Sequence, residues 1–180
     1  MAFGFLKKKS KSSWPNAVQT QSAYDPTADA LRKLAAEKAA AGQLKIDLEV
    51  ARVTTEAEGV IAIHFVDPHG DELPEWAPGA HLEIHTPGGL IRQYSLCGDP
   101  ADRTTYRVSV LREEEGRGGS KELHDTNLVG KLITATPPRN HFELKPCAKY
   151  LFVAGGIGVT PIRAMVAAAD QAGADYRVLY

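Results

Sequence analysis

The chain has 180 residues, a formal net charge of −1, 43% hydrophobic residues and 24% charged ones. That make-up fits a soluble globular protein with one good core, or one domain and part of another, and gives no global drive towards nucleic acid or an anionic surface. Its two cysteines, Cys97 and Cys147, are too few for a disulfide framework or for the four ligands of an iron–sulfur cluster, so a reducing, cytoplasmic setting is expected.

Residues 1–26 mix Lys7, Lys8, Lys9 and Lys11 with Ser, Asn, Gln and Pro and show no sustained period, which predicts a disordered basic tail. A second reading joins these lysines to Phe3, Phe5, Leu6 and Trp14 as a weak surface-docking arm. Asp25-Pro26-Thr27 can open a helix and Gly42 can close it, but Leu31, Leu34 and Ala35 form only a thin apolar stripe, so this helix is expected to be peripheral. No apolar run approaches the ~20 residues of a membrane span.

From Leu44 the period changes to two. Residues 44–53, 59–66, 80–86, 90–96, 105–112 and 131–136 read as six short strands, punctuated at Asp67-Pro68-His69-Gly70, Pro87-Gly88-Gly89 and Gly98-Asp99-Pro100. Strands so spaced predict a small closed antiparallel barrel, interrupted by a short helix over 120–126. The class then changes. Tyr150–Ala154 is a continuous apolar strand, 161–172 a helix and 176–180 a second strand, which together make one βαβ unit. The expected organisation is a tail and peripheral helix over 1–43, a barrel over 44–146 and the start of a nucleotide-binding domain over 147–180. A parallel sheet of two strands cannot bury both faces, so this second domain is expected to be unfinished.

Three segments carry the candidate chemistry. Arg92-Gln93-Tyr94-Ser95-Leu96 ends an apolar strand with a guanidinium, a ring and a hydroxyl. Alternation sets Arg92 and Tyr94 on one face and Ser95 on the other, so one ligand can meet all three only if the strand bends after Tyr94. Alone, this is equally an ordinary half-buried strand with a surface arginine. Glu115-Gly116-Arg117-Gly118-Gly119-Ser120 is a candidate phosphate cradle, with glycine N–H groups and a helix start whose cap would be Ser120. Alone, it reads more readily as a flexible hairpin tip with a routine serine cap. Val153-Ala154-Gly155-Gly156-Ile157-Gly158-Val159-Thr160-Pro161 runs from strand through glycine turn to helix, with Thr160 expected as cap and Pro161 as first helical residue. It departs from the dinucleotide fingerprint, because Pro161 stands where the third glycine belongs. Asp175 precedes the second strand and is assigned no role. The six histidines show no tight metal spacing, so no metal site is expected.

In this order the segments resemble the flavin reductases of the ferredoxin–NADP reductase superfamily, in particular the phthalate dioxygenase reductase and vanillate demethylase reductase family, over residues 44–180. The resemblance implies a flavin, FMN with FAD as the alternative, held by Arg92, Gln93, Tyr94, Ser95, Arg117, Gly118, Gly119 and Ser120. Arg92 would pair with phosphate, Tyr94 would stack on the ring, and Ser95 and Thr160 would lie near N5. Gly155, Gly156, Gly158, Thr160 and Pro161 would meet the nicotinamide nucleotide, with NAD(P)H as substrate and no acid–base residue required. Pro138-Arg139-Asn140-His141-Phe142 matches the family's exit from the barrel and is expected to pack between domains. The implied function is electron transfer to a terminal oxygenase or ferredoxin-like acceptor. The rest of the nucleotide domain and a plant-type 2Fe-2S domain are expected downstream, which would make these 180 residues a fragment or truncated product of low activity. The alternative is a flavin-holding binding or assembly module without turnover.

Overall fold

A computed structural model describes residues 44–180. The predicted tail and peripheral helix lie outside these residues. The described chain folds as an antiparallel barrel followed by two parallel strands and a helix, the fold class that the periodicity predicts.

The barrel strands are β1 (Ile46–Ala57), β2 (Val60–Val66), β3 (Ala80–His85), β4 (Ile91–Ser95), β5 (Tyr106–Leu111) and β6 (Leu132–Ala135). Their order is β4-β3-β6-β1-β2-β5. The ends of this path meet at one bridge, Leu96 to Val108, reinforced by a hydrogen bond from Cys97 N–H to Arg107 O at 2.9 Å. Alternate residues from five of the six strands fill the interior: Leu48 and Val50, Ile63 and Phe65, Leu82 and Ile84, Val108 and Val110, and Ile133 are buried. Each such side chain contributes about 1.5–3 kcal/mol relative to exposure. Tyr106 is also buried and donates its hydroxyl to Pro74 O, while Arg103 Nε donates to Leu73 O at 2.9 Å; together they pin the long connection between β2 and β3.

The structure moves several predicted boundaries. β1 continues past Val53 to Ala57, because Val53, Thr54 and Thr55 keep pairing with β2 across a register shift. A two-residue strand, β7 (Arg139–Asn140), pairs with β3 and is too short to show a period. The short helix α1 spans Gly119–Asp125, and the second helix α2 spans Val159–Gln171 after a 3₁₀ turn at Gly156–Gly158.

Strands β8 (Lys149–Val153) and β9 (Asp175–Leu179) pair in parallel, and α2 covers one of their faces. Phe152, Ile162, Met165 and Ala169 form that contact, joined by Tyr150, Tyr176 and Val178. The other face leaves Leu151 64% and Val153 65% exposed. Helix α2 also docks on the barrel. Ala164 belongs to the barrel core, Arg163 donates to Cys97 O at 2.9 Å, and a Cβ on Gly79 would lie 1.8 Å from Phe142 O and 2.9 Å from Met165 Cε. A glycine at position 79, with φ of +97, is what lets these three elements meet so closely.

Candidate functional site

Strand β4 is an edge of the barrel sheet, and beyond the Leu96–Val108 bridge it separates from β5. The opening leads into a cleft of about 390 Å³. It is lined by Arg92, Gln93, Tyr94 and Ser95 of β4, by Ser109 and Leu111 of β5 with Glu113, by Gly116, Arg117, Gly119 and Ser120, and by Ile157, Gly158, Thr160 and Pro161. All three candidate segments therefore contribute to one cavity.

Ser95 is the last residue of β4, and pairing with β3 runs on to Leu96, whose N–H donates to Ala80 O at 2.9 Å; Gln93 and Ser95 nonetheless line the same cavity as Arg92 and Tyr94. Tyr94 is half-buried and packs on the barrel core; burial pushes its phenol above the ordinary tyrosine range against the opposing pull of Arg92. Arg92 donates to Ile91 O and Arg117 O, each at 2.7 Å, and so ties the β4 segment to the glycine segment. Its side chain lies directly over Gly119: a Cβ there would be 2.8 Å from both Cγ and Nε of Arg92.

Three details correct the sequence reading. Ser120 does not cap α1. Gly118, with φ of +83, is the N-cap, and the Ser120 hydroxyl accepts the Glu113 N–H at 3.1 Å. Thr160 does not cap α2 either; its hydroxyl donates to Ile157 O at 2.9 Å, and Gly158 is the N-cap without any side-chain cap. Pro161 is the third helical residue, where its missing N–H still costs no helical bond. Gly118, Gly155 and Gly156 stand outside the lining of the cleft. The lining also includes Ser109, Leu111, Glu113, Gly116 and Ile157, which the sequence did not single out. Ser109, a hydroxyl between the buried Val108 and Val110, is the one that alternation could have marked.

Next to the cleft, Arg112 pairs with Asp125 and Glu114, and Lys121 with Glu114 at 3.1 Å, bracing α1 against the end of β5. Among the described residues no group of three or more His, Cys, Asp or Glu is arranged to hold a metal ion, and no helix is long and apolar enough to cross a membrane.

A barrel opened at one edge strand, with a glycine-bounded cleft and a βαβ unit docked beside it, is the architecture of the flavin-binding region of the ferredoxin reductase family. No protein-family model matches the chain. Individual proteins do. The reductase subunit of a tert-butanol monooxygenase / tert-amyl alcohol desaturase from Aquincola tertiaricarbonis is 42% identical over 136 residues, 75% of this chain and 40% of that protein. The phthalate 4,5-dioxygenase oxygenase reductase subunit of Pseudomonas putida is 42% identical over 120 residues, 66% of this chain and 37% of that one. The solved structure of phthalate dioxygenase reductase, described as modular for electron transfer from pyridine nucleotides to a 2Fe-2S centre, matches with a TM-score of 0.73 at 33% identity over 77% of this chain and 44% of its own. The chain is homologous to phthalate dioxygenase reductase, vanillate demethylase reductase and related oxygenase reductase subunits, whose family uses a flavin and NAD(P)H. It spans less than half the length of these relatives.

Proposed function

We propose that the cleft binds FMN and that the protein is the flavin-bearing part of an NAD(P)H-dependent reductase serving a terminal oxygenase or a ferredoxin-like acceptor, in the cytoplasm. The observation that supports this most is the meeting of three distant segments in one cleft, each with chemistry for a different part of such a ligand. The residues fit the group. Tyr94 offers a half-buried ring for stacking, Arg92 with Arg117 offers positive charge, and Gly119, packed under Arg92 at the start of α1, keeps that charge close to the backbone of the glycine segment. Ser95 and Thr160, which both line the cleft, are the hydroxyls assigned to the reactive edge of the ring. A bound flavin supplies the hydride and single-electron chemistry. The protein's own residues hold, orient and shield, and none is assigned as acid, base or nucleophile.

FMN is preferred to FAD because Arg92 and Arg117 both line the cleft with Gly116, Gly119 and Ser120 and are joined by a hydrogen bond from Arg92 to Arg117 O, an arrangement that suits a terminal phosphate. Heat release of the ligand from purified protein followed by chromatography is the test. Recovered FAD rejects the FMN assignment, and a colourless protein that does not bind added FMN rejects the flavin reading.

We further propose that these 180 residues turn over NADH poorly. Gly155, Gly156, Gly158, Thr160 and Pro161 supply the turn, but among the described residues only the small βαβ unit stands on the nucleotide side. Positioning of the nicotinamide contributes several kcal/mol to such a transfer. Slow, non-saturating bleaching of the flavin by NADH is expected, and rapid saturating bleaching rejects this. A flavin-holding module without turnover is the second reading, favoured by the exposed Leu151 and Val153 face; it predicts no bleaching at all.

A further inference from the structure

The β4 segment and helix α1 are joined at two points. Inside the cleft, Arg92 donates to Arg117 O at 2.7 Å. Outside it, the Glu122 carboxylate accepts hydrogen bonds from the Thr86 hydroxyl at 2.6 Å and from the Gly88 N–H, both in the turn between β3 and β4. Thr86 is buried, and its hydroxyl oxygen also accepts the Leu90 N–H at 3.1 Å, so the turn is organised around that one group. The fit is close: a Cβ on Gly88 would lie 2.9 Å from Glu122 Oε1. Gly88 and Arg92 are on one arm of this ring of contacts, Arg117 and Glu122 on the other.

The ring has two physical effects. Each arm is fixed at both ends, so Arg92 and the start of α1 need little further ordering when a ligand arrives. The carboxylate charge is also drawn towards donors in the turn, where it is answered by hydrogen bonds instead of facing an incoming anion. An acidic residue in the first turn of a helix is common for dipole reasons alone. What sets Glu122 apart is its pair of tertiary partners in the turn that leads into Arg92.

We infer that Glu122, through Thr86 and Gly88, is a positioning residue that holds Arg92 over the start of α1 and thereby sets affinity for the phosphate end of the flavin. The inference rests on the flavin reading above. A plain helix tether would weaken all flavins alike. A positioning role acts selectively on those that carry phosphate.

The test titrates FMN and riboflavin into the 180-residue protein and its Glu122→Ala, Glu122→Gln and Thr86→Val variants, following flavin fluorescence, with thermal melting of the ligand-free proteins alongside. Glu122→Ala is expected to weaken FMN about tenfold and riboflavin less than about threefold, because a displaced Arg92 loses charge-assisted bonds to phosphate only. Glu122→Gln keeps an acceptor oxygen and should recover most of the FMN affinity; Thr86→Val should fall between. Equal weakening of both ligands, or unchanged FMN affinity, overturns the inference. Should Glu122→Ala not fold, Thr86→Val makes the same comparison by removing a single hydroxyl. Failure of the unaltered protein to bind either flavin rejects the flavin reading and this inference with it, an outcome distinct from normal binding without discrimination among the variants.

Discussion

Two glycine-bearing turns border the same cleft and are built on opposite plans. In the Arg117–Ser120 segment the glycine is packed against: Gly119 is buried under Arg92, and a Cβ there would meet that side chain at 2.8 Å. In the Gly155–Pro161 segment nothing beyond the adjoining backbone lies within 4 Å of where a Cβ on Gly155, Gly156 or Gly158 would be, and of these three only Gly156 has a positive φ, of +52. The first turn uses a glycine to set the position of a side chain. The second keeps backbone bare for a reason that packing inside the described chain does not supply.

The largest effect that would break this comparison is at Arg92. If the first turn exists to hold that guanidinium for phosphate, Arg92→Ala should weaken FMN binding by at least about tenfold, through loss of charge-assisted bonds, and riboflavin binding far less. Equal losses, measured by fluorescence titration, would mean that Arg92 acts through the fold. Gly119→Ala is expected to weaken FMN somewhat less, by about threefold to tenfold, because Arg92 is shifted without being removed. Added to Arg92→Ala, it should cost little more, since the two changes share one contact.

Gly158→Ala sharpens the other half of the comparison. Gly158 has φ of −60 and ψ of −9, a conformation open to any residue. The melting temperature should therefore hold or rise slightly and FMN affinity should change less than about twofold, while flavin reduction by NADH slows about threefold. A fall in melting temperature would show that Gly158, like Gly119, is needed by the fold.

The smallest effect concerns pH. Burial, followed by neighbouring positive charge, holds His64 and His81 below the ordinary histidine range. The unfolded chain then takes up protons below about pH 6.5 that the folded chain does not, so stability should be level above that pH and decline below it. Glu56 and Asp102 are held below the ordinary carboxylate range, first by the Thr54 and Thr104 hydroxyls, so their contribution is present above about pH 4 and lost only as pH falls further. The two windows separate. The drop in melting temperature between pH 7 and pH 5 should shrink in His81→Asn, and an unchanged drop would remove His81 from the account.

The elements and the three segments were legible because their signals are local: alternation in Leu82–Ile84 and Val108–Val110, and the change of class at Tyr150. The caps were misread for an equally local reason. Ser120 and Thr160 are good capping residues, yet the Ser120 hydroxyl is engaged by Glu113 N–H and the Thr160 hydroxyl by Ile157 O, leaving glycine at both N-caps. Ser109, Leu111 and Glu113 could not be read as lining, since they face β4 only because the barrel closes at Leu96 and Val108. Glu122 was out of reach for the same reason: its partners Thr86 and Gly88 are fixed by tertiary structure, 36 and 34 residues away.

The strand order gives the four-residue β6 a meaning in time. β1, β2 and β5 make one half of the barrel, β3 and β4 the other, and β6 pairs with both β1 and β3. Its contacts join distant parts of the chain: the Thr134 hydroxyl donates to Asp47 across 87 residues, and Thr136 Oγ1 accepts from Glu83 N–H across 53. Pairings over such separations are slow to form. During synthesis at about 5–20 residues per second, β1 and β3 wait with unpaired edges until β6 leaves the ribosome. The segments carrying Arg92 and Gly119 are therefore made on the order of seconds before the strand that seals the barrel around them.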